Sequence, residues 1–130
     1  MPLDQSQPRL QRRNRGRRNY QAGTMAEDSA ARVYEERGAT LRDKRWRGAG
    51  GEIDLIAQTP EDVIFIEVKQ SQTFERAAES LGPRQIARLR NAAAEYLGTL
   101  PLGQLTPMRF DLALVNSQGE VRVIENAFTA

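Results

Sequence analysis

The chain has 130 residues, of which 39% are hydrophobic and 28% charged, and these values predict one globular domain. It contains no cysteine and no histidine, which excludes disulfides, thiolate zinc sites and catalytic sites that need an imidazole. No apolar run is long enough to span a membrane, and the N-terminal residues lack the apolar segment of a secretory signal, so we expect a cytoplasmic protein without a membrane partner.

Positive charge is concentrated at the N-terminus. Residues 1–22 carry six arginines and one aspartate, although the formal net charge of the whole chain is only +2. Low hydrophobicity and the lack of periodicity predict a flexible arm over residues 1–23, followed by a folded domain over residues 24–130. Such an arm suits contacts with nucleic-acid phosphates, but a solvated tail has the same composition. The candidate phosphate-binding residues are Arg12, Arg13, Arg15, Arg17 and Arg18.

The first predicted elements are a helix and a basic strand. The helix should run from Thr24 to about Arg37, because Thr24 and Glu27 have the spacing of a capping box and Gly38 is a suitable stop. The strand should cover Thr40 to Trp46 and end in a flexible glycine-rich segment. Trp46 could stack on a base or pack in the core. The basic residues here would form a second nucleic-acid-binding patch: Arg42, Lys44, Arg45 and Arg47.

Two further strands, over residues 52–58 and 62–69, should form a hairpin around the turn of residues 59–62. A four-residue loop pairs Gln58 with Val63 and so places Asp54 opposite Glu67 on one face. The other face is then uniformly apolar, and a slip of one residue would destroy that separation. In the same register, Glu52 lies opposite Lys69.

The remaining pattern completes an α/β fold. A short helical turn is predicted from Glu75 to Leu81, and a longer helix from Pro83 to Leu97. Two final strands, Met108 to Val115 and Val121 to Glu125, form a second hairpin. The predicted architecture is a mixed sheet of about five strands flanked by helices.

The hairpin carries the most informative chemistry. Carboxylates directly opposed among apolar neighbours repel each other, and protonation, a nearby cation or a bound metal would relieve the repulsion. Lys69 supplies one positive charge, for which Glu52 competes unless Glu52 itself assists the site. A divalent cation held by Asp54 and Glu67 is the better resolution, and Mg²⁺ suits a site with few protein oxygens. The alternative is an ordinary surface hairpin with Glu–Lys ion pairs.

The spacing Asp54-x₁₂-Glu67-x-Lys69 resembles the D…(D/E)-x-K signature of nucleases with the restriction-endonuclease-like fold. The surrounding segments, at residues 51–57, 63–69, 109–112 and 124–128, resemble the YraN-like family of uncharacterised bacterial proteins, which is assigned to that fold. The resemblance implies that Asp54, Glu67 and Lys69 are catalytic. The two acids, together with the backbone carbonyl between Glu67 and Lys69, would hold Mg²⁺ (or Mn²⁺), and Lys69 would position the attacking water.

The resemblance also implies roles for residues outside the hairpin. Glu27 would join the metal site, although its capping-box position offers a simpler explanation. Gln85 stands where the family usually has a lysine, and its amide could still contact nucleic acid. Arg84 and Arg88 could compensate for the missing lysine, although a solvated helix face is the simpler expectation for them, and Asp111 is expected to be structural.

The function expected from these residues is Mg²⁺-dependent hydrolysis of DNA or structured nucleic acid by an endonuclease-like domain. The alternative is a non-catalytic nucleic-acid-binding or protein-interaction module that keeps the nuclease fold. Many nucleases of this fold act as dimers, so the resemblance also leaves a homodimer open.

Overall fold

The computed structural model describes residues 23–128. Helix α1 covers residues 23–36 of this range and is followed by strands β1 (Thr40–Arg47), β2 (Glu52–Gln58) and β3 (Val63–Gln70). Helices α2 (Phe74–Glu79) and α3 (Pro83–Leu97) then lead through a 3₁₀ turn (Gly103–Leu105) to β4 (Met108–Val115) and β5 (Val121–Ile124). Each predicted helix and strand is present. The candidate phosphate-binding residues of the arm lie outside the described residues: Arg12, Arg13, Arg15, Arg17 and Arg18.

The strands form one five-stranded sheet in the order β1-β2-β3-β4-β5. Neighbouring strands are antiparallel except β3 and β4, which are parallel. A parallel pair needs a long crossover, and α2 and α3 supply it. The predicted mixed α/β sheet with flanking helices is therefore confirmed. No helix within residues 23–128 has both the length and the apolar character to cross a membrane.

Helices cover both faces of the sheet because side chains alternate along the strands. On one face, α3 packs its buried residues on Phe65, Ile56 and Phe110. On the other, α1 packs on Leu55 and Ile66. Helix α2 covers the end of β4. The hairpin of β2 and β3 is therefore the buried centre of the fold.

One polar cluster ties α1 to strand β4. Asp111 on β4 is fully buried and accepts hydrogen bonds from the Tyr34 hydroxyl at 2.7 Å and from Arg109 Nε at 3.0 Å. The backbone N–H of Asn126 donates to the same carboxylate at 3.0 Å. Burial raises the pKa of Tyr34 well above its ordinary value, and the bond to Asp111 adds to the shift. The structural role predicted for Asp111 is confirmed.

The predicted capping box at the start of α1 is wrong. Residues 23 and 24 are already helical, so Thr24 cannot be the N-cap. Its hydroxyl accepts a hydrogen bond from Arg45 at 3.0 Å, and the Glu27 carboxylate accepts another from Arg45 at 2.7 Å. A guanidinium from β1 thus engages both side chains that the sequence pattern assigned to the cap.

Candidate functional site

The site lies where β2 and β3 separate. Their ladder runs from Gln58–Val63 to Leu55–Ile66, in the register predicted from the turn, and ends there. One strand residue further on, Asp54 Oδ2 accepts a hydrogen bond from the Val68 backbone N–H at 2.8 Å. A side-chain carboxylate therefore satisfies a donor of β3 at the point where the ladder stops, and the predicted continuation to Glu52–Lys69 is wrong.

A local change in strand geometry accompanies this separation. Ile53 packs with Ile56 in the cluster under α3, whereas strict alternation predicts that it shares a face with Leu55. At the same level of β1, Arg45 has a φ of 51°, a left-handed backbone that is uncommon for a non-glycine residue. Periodicity alone therefore predicted the wrong face for Ile53.

The carboxyl groups of Asp54 and Glu67 are close enough to hydrogen bond to each other. Burial raises the pKa of Glu67 to about 9, and the hydrogen bond and the negative charge of Asp54 add to the shift. Lys69 opposes it, because its ammonium lies 4.0 Å from Glu67 Oε2. The Glu67 side chain is only 14% exposed, so water screens the pair weakly. Without a cation, the pair holds a proton at neutral pH.

These groups line an open pocket of about 360 Å³. Its walls come from α1, β2, β3 and α3, four elements that are distant in sequence. The polar side chains that matter most are Glu27, Asp54, Glu67, Lys69, Gln85 and Arg88. The structure thus brings the three predicted catalytic residues together and adds two polar side chains from α3.

Glu27 lies in the pocket wall but is engaged by Arg45. Burial raises the pKa of Glu27, the hydrogen bond from Arg45 opposes the rise, and the charge of Asp54 adds to it. Within residues 23–128, no group of three or more Asp, Glu, His or Cys side chains is arranged to hold a metal ion. The structure therefore does not assemble Glu27 as a third ligand beside Asp54 and Glu67. A cation held here would rely on two carboxylates and water, as Mg²⁺ commonly does.

The basic residues predicted to form a patch on β1 each bond to another side chain of the domain. Arg42 Nε donates to the Tyr96 hydroxyl at 2.8 Å, and Trp46 packs edge-on against the same ring at 5.4 Å. The other basic residues form ion pairs: Lys44 with Asp28 at 2.9 Å, Arg45 with Glu27 at 2.7 Å and Arg47 with Glu52 at 2.9 Å. These side chains therefore do not form one uncommitted basic surface. Glu52 pairs with β1, whereas the sequence suggested Lys69 as its partner.

Glu95 on α3 is a residue that sequence reasoning missed. Its carboxylate accepts hydrogen bonds from the backbone N–H groups of Ala49 at 3.0 Å and Gly50 at 2.7 Å. A methyl group on Gly48 would meet the same carboxylate and the Trp46 ring, so a larger residue there would displace the ends of these side chains. The loop predicted to be flexible is thus held against α3, which fixes the start of β2 and one wall of the pocket. The run of glycines before β2 was the sequence signal for this contact. Its partner could not be read from the sequence, because Glu95 lies 45 residues from Gly50.

Comparison with known proteins identifies the family. The family model described as Uncharacterised protein family UPF0102 matches residues 26–115. A UPF0102 protein of Ruegeria pomeroyi is 59% identical over 115 residues, which cover 88% of this chain and 94% of that protein. UPF0102 proteins of Cereibacter sphaeroides and Dinoroseobacter shibae are 50% and 43% identical over 115 residues, covering 88% of this chain and 98% and 86% of those proteins. The chain therefore belongs to UPF0102, the YraN-like family that its motifs resemble.

Proposed function

We propose that this chain is a nuclease-like domain that binds nucleic acid and hydrolyses phosphodiester bonds with Mg²⁺ or Mn²⁺. The observation that carries the proposal is the half-buried Asp54–Glu67 pair, which lies at the wall of an open pocket with Lys69 beside it. Two neighbouring carboxyl groups favour either a retained proton or a bound cation, because their negative charges repel each other.

The donor set fits a hard divalent cation. Asp54 keeps one carboxylate oxygen that is not committed to Val68, and Glu67 supplies a second carboxylate. These two residues would hold the cation, and its remaining positions would be filled by water. Bound Mg²⁺ would supply electrostatic stabilisation of the charge that develops on the scissile phosphate.

The protein groups then have separate tasks. On binding a cation Glu67 would lose its proton, so that its carboxylate could serve as a ligand at neutral pH. The Lys69 ammonium, 4.0 Å from Glu67 Oε2, orients the attacking water and neutralises charge on the phosphate oxygens. The water oxygen bonds to phosphorus and releases a proton to solvent, the bond from phosphorus to the leaving oxygen breaks, and that oxygen takes a proton from solvent.

A non-catalytic module is the second candidate, and one observation favours it. The raised pKa of Glu67 means that a shared proton can neutralise the carboxyl pair without any metal. The same fold could then bind nucleic acid and leave it intact. Metal affinity and cleavage distinguish the two candidates.

The first experiment is calorimetric titration of the full chain with Mg²⁺ and Mn²⁺. We expect Asp54→Asn and Glu67→Gln each to lower the metal affinity at least tenfold, because each removes one of two charged ligands. Glu61→Gln is the matched control, since it neutralises an exposed carboxyl group at the other end of the hairpin. Equal affinities in the wild type and all three variants would eliminate the metal site.

The second experiment measures cleavage of branched, flapped and single-stranded substrates with Mn²⁺. We expect activity in the wild type and Glu61→Gln, and a loss of about a hundredfold or more in Asp54→Asn and Lys69→Met. Retained binding without cleavage in the wild type would support the non-catalytic module. Activity that survives equally in Asp54→Asn would point to a contaminating nuclease and refute the assignment of these residues.

A third measurement addresses the arginine arm. If its arginines contact phosphates, deleting residues 1–22 should reduce the slope of log affinity against log salt concentration by about 0.7 to 0.9 for each lost contact. An unchanged slope would show that the arm is a solvated tail.

A further inference from the structure

Helix α3 places one arginine in the pocket and leaves its neighbour outside. The helix is fixed in rotation by its buried residues, which include Leu89, Ala93 and Tyr96. Gln85 and Arg88, one turn apart, line the pocket that also contains Glu67 and Lys69. Arg84 precedes Gln85 directly and is exposed away from the pocket lining. Two arginines on one helix therefore differ in their relation to the site.

Arg88 also differs from the other cations around the pocket. Arg45 is paired with Glu27, Arg47 with Glu52, and Lys69 lies 4.0 Å from Glu67. The Arg88 guanidinium makes no hydrogen bond or ion pair with any residue in the range 23–128. A guanidinium has five N–H donors in a planar fork that matches two oxygens of a phosphate. The pocket that holds the carboxyl pair thus also presents an unpaired, phosphate-compatible guanidinium.

The base of the Arg88 side chain is held in place, although the guanidinium has no partner in this part of the chain. Gly51 lies so close to α3 that a methyl group added to it would be 3.4 Å from Arg88 Cβ. Seven residues further along the helix, Glu95 binds the same glycine loop through two backbone N–H groups. Gln85 is oriented as well, because its Oε1 accepts a hydrogen bond from the Gly82 N–H at 3.3 Å. Its NH₂ group remains as a second donor beside Arg88.

We propose that Arg88, assisted by the Gln85 amide, binds a phosphate of the nucleic-acid strand adjacent to the phosphodiester at Asp54 and Glu67. This inference rests on the proposed function and adds a second phosphate subsite to it. The pocket then has two functions, carried by residues of different elements. The carboxyl pair and Lys69 act on the reacting phosphate. Helix α3 binds the adjacent phosphate and so fixes the register of the nucleic-acid strand.

The test compares Arg88→Gln with Arg84→Gln in the full chain. Both substitutions remove one exposed positive charge from the same helix, so they change the net charge equally. Binding to a fluorescent single strand is measured by anisotropy over a range of salt concentrations, with Ca²⁺ in place of Mg²⁺ to prevent turnover. We expect Arg88→Gln to weaken binding about tenfold and to lower the salt slope by about 0.7, and Arg84→Gln to change affinity less than about twofold. Arg88→Lys should recover part of the affinity, because it restores charge without the planar fork.

The other outcomes separate a failure of the Arg88 subsite from a failure of the proposed function. Equal weakening by both variants would mean that the helix contributes only diffuse charge, and it would overturn the subsite. Normal binding by Arg88→Gln would also overturn the subsite while leaving the proposed function intact. A wild type that binds no nucleic acid would overturn the proposed function. In that case, a titration with inorganic phosphate, followed through the arginine Nε–H resonances, decides the subsite: a shift at Arg88 and not at Arg84 sustains an anion site, and no shift overturns it.

Discussion

Replacing Glu67 with glutamine should remove most of the pH dependence of the domain's stability near neutrality. In the folded protein, burial and the neighbouring Asp54 raise the pKa of Glu67 from 4.5 to about 9. An unfolded chain releases this proton at the ordinary pKa, so the folded state binds more protons at neutral pH. The stabilisation is complete below the unfolded pKa and is lost as the pH rises through the folded pKa.

The magnitude follows from the linkage relation. One additional bound proton changes the free energy of unfolding by about 1.36 kcal/mol for each pH unit. From about pH 6 to about pH 8, the metal-free wild type should therefore lose about 2.7 kcal/mol of stability from this group. Glutamine cannot ionise, and its amide can donate a hydrogen bond to Asp54 at every pH. The stability of the variant should therefore be nearly flat over the same interval.

The assay is urea denaturation in EDTA, followed through the fluorescence of Trp46. The chain contains no histidine, so the residue that most often titrates in this interval does not contribute. Glu61→Gln serves as the control, because its exposed carboxyl group lies at the turn between β2 and β3. It should retain the slope of the wild type.

Mg²⁺ provides a second check on the same group. The cation should replace the proton, so it should stabilise the wild type more at about pH 8 than at about pH 6. A wild type whose stability is flat with pH in EDTA would refute the raised pKa of Glu67. A Glu67→Gln variant that keeps the full slope would refute it as well.

Three further predictions concern the supports of the site. Asp111→Ala should destabilise the domain by about 3 to 5 kcal/mol in urea denaturation because it leaves buried donors unpaired, whereas Tyr34→Phe should cost only about 1 kcal/mol. Equal losses of stability in the two variants would contradict the buried network. Phe65→Ala should cost about 3 to 5 kcal/mol by the same assay, since the ring is fully buried, and a loss below about 1 kcal/mol would contradict its central packing. Glu95→Ala should cost only about 1 kcal/mol but speed hydrogen exchange of the two loop amides about tenfold or more, and unchanged exchange measured by NMR would show that the carboxylate does not hold the loop.

The sequence pattern predicted the hairpin because its register depends on residues that are close together in the chain. The turn of residues 59–62 fixed the register, and the apolar alternation of β2 and β3 opposed any slip. Leu55–Ile66 and Gln58–Val63 pair as expected. The prediction failed one residue beyond Leu55, where the Asp54 carboxylate accepts the Val68 N–H and the ladder ends. A side chain that replaces a backbone partner has no signature in periodicity.

The helix termini illustrate the same limit. The spacing of Thr24 and Glu27 satisfied a capping pattern, yet both side chains contact Arg45 on another element. On α3, the periodic apolar residues marked the buried face. The polar pocket-lining role of Arg88 gave no comparable signal, because it depends on which neighbour the helix meets.

The sequence by itself determined the types of element, the hairpin register and the restricted chemistry of a chain without histidine or cysteine. It also set Asp54, Glu67 and Lys69 at spacings that bring their side chains together. Only the tertiary structure decided which charges are neutralised. Arg45 forms an ion pair with Glu27, while the Arg88 side chain lines the pocket without a partner among residues 23–128. The reason is physical. Periodicity encodes the face of an element, whereas ion pairing and burial depend on distances between elements that are far apart in the chain.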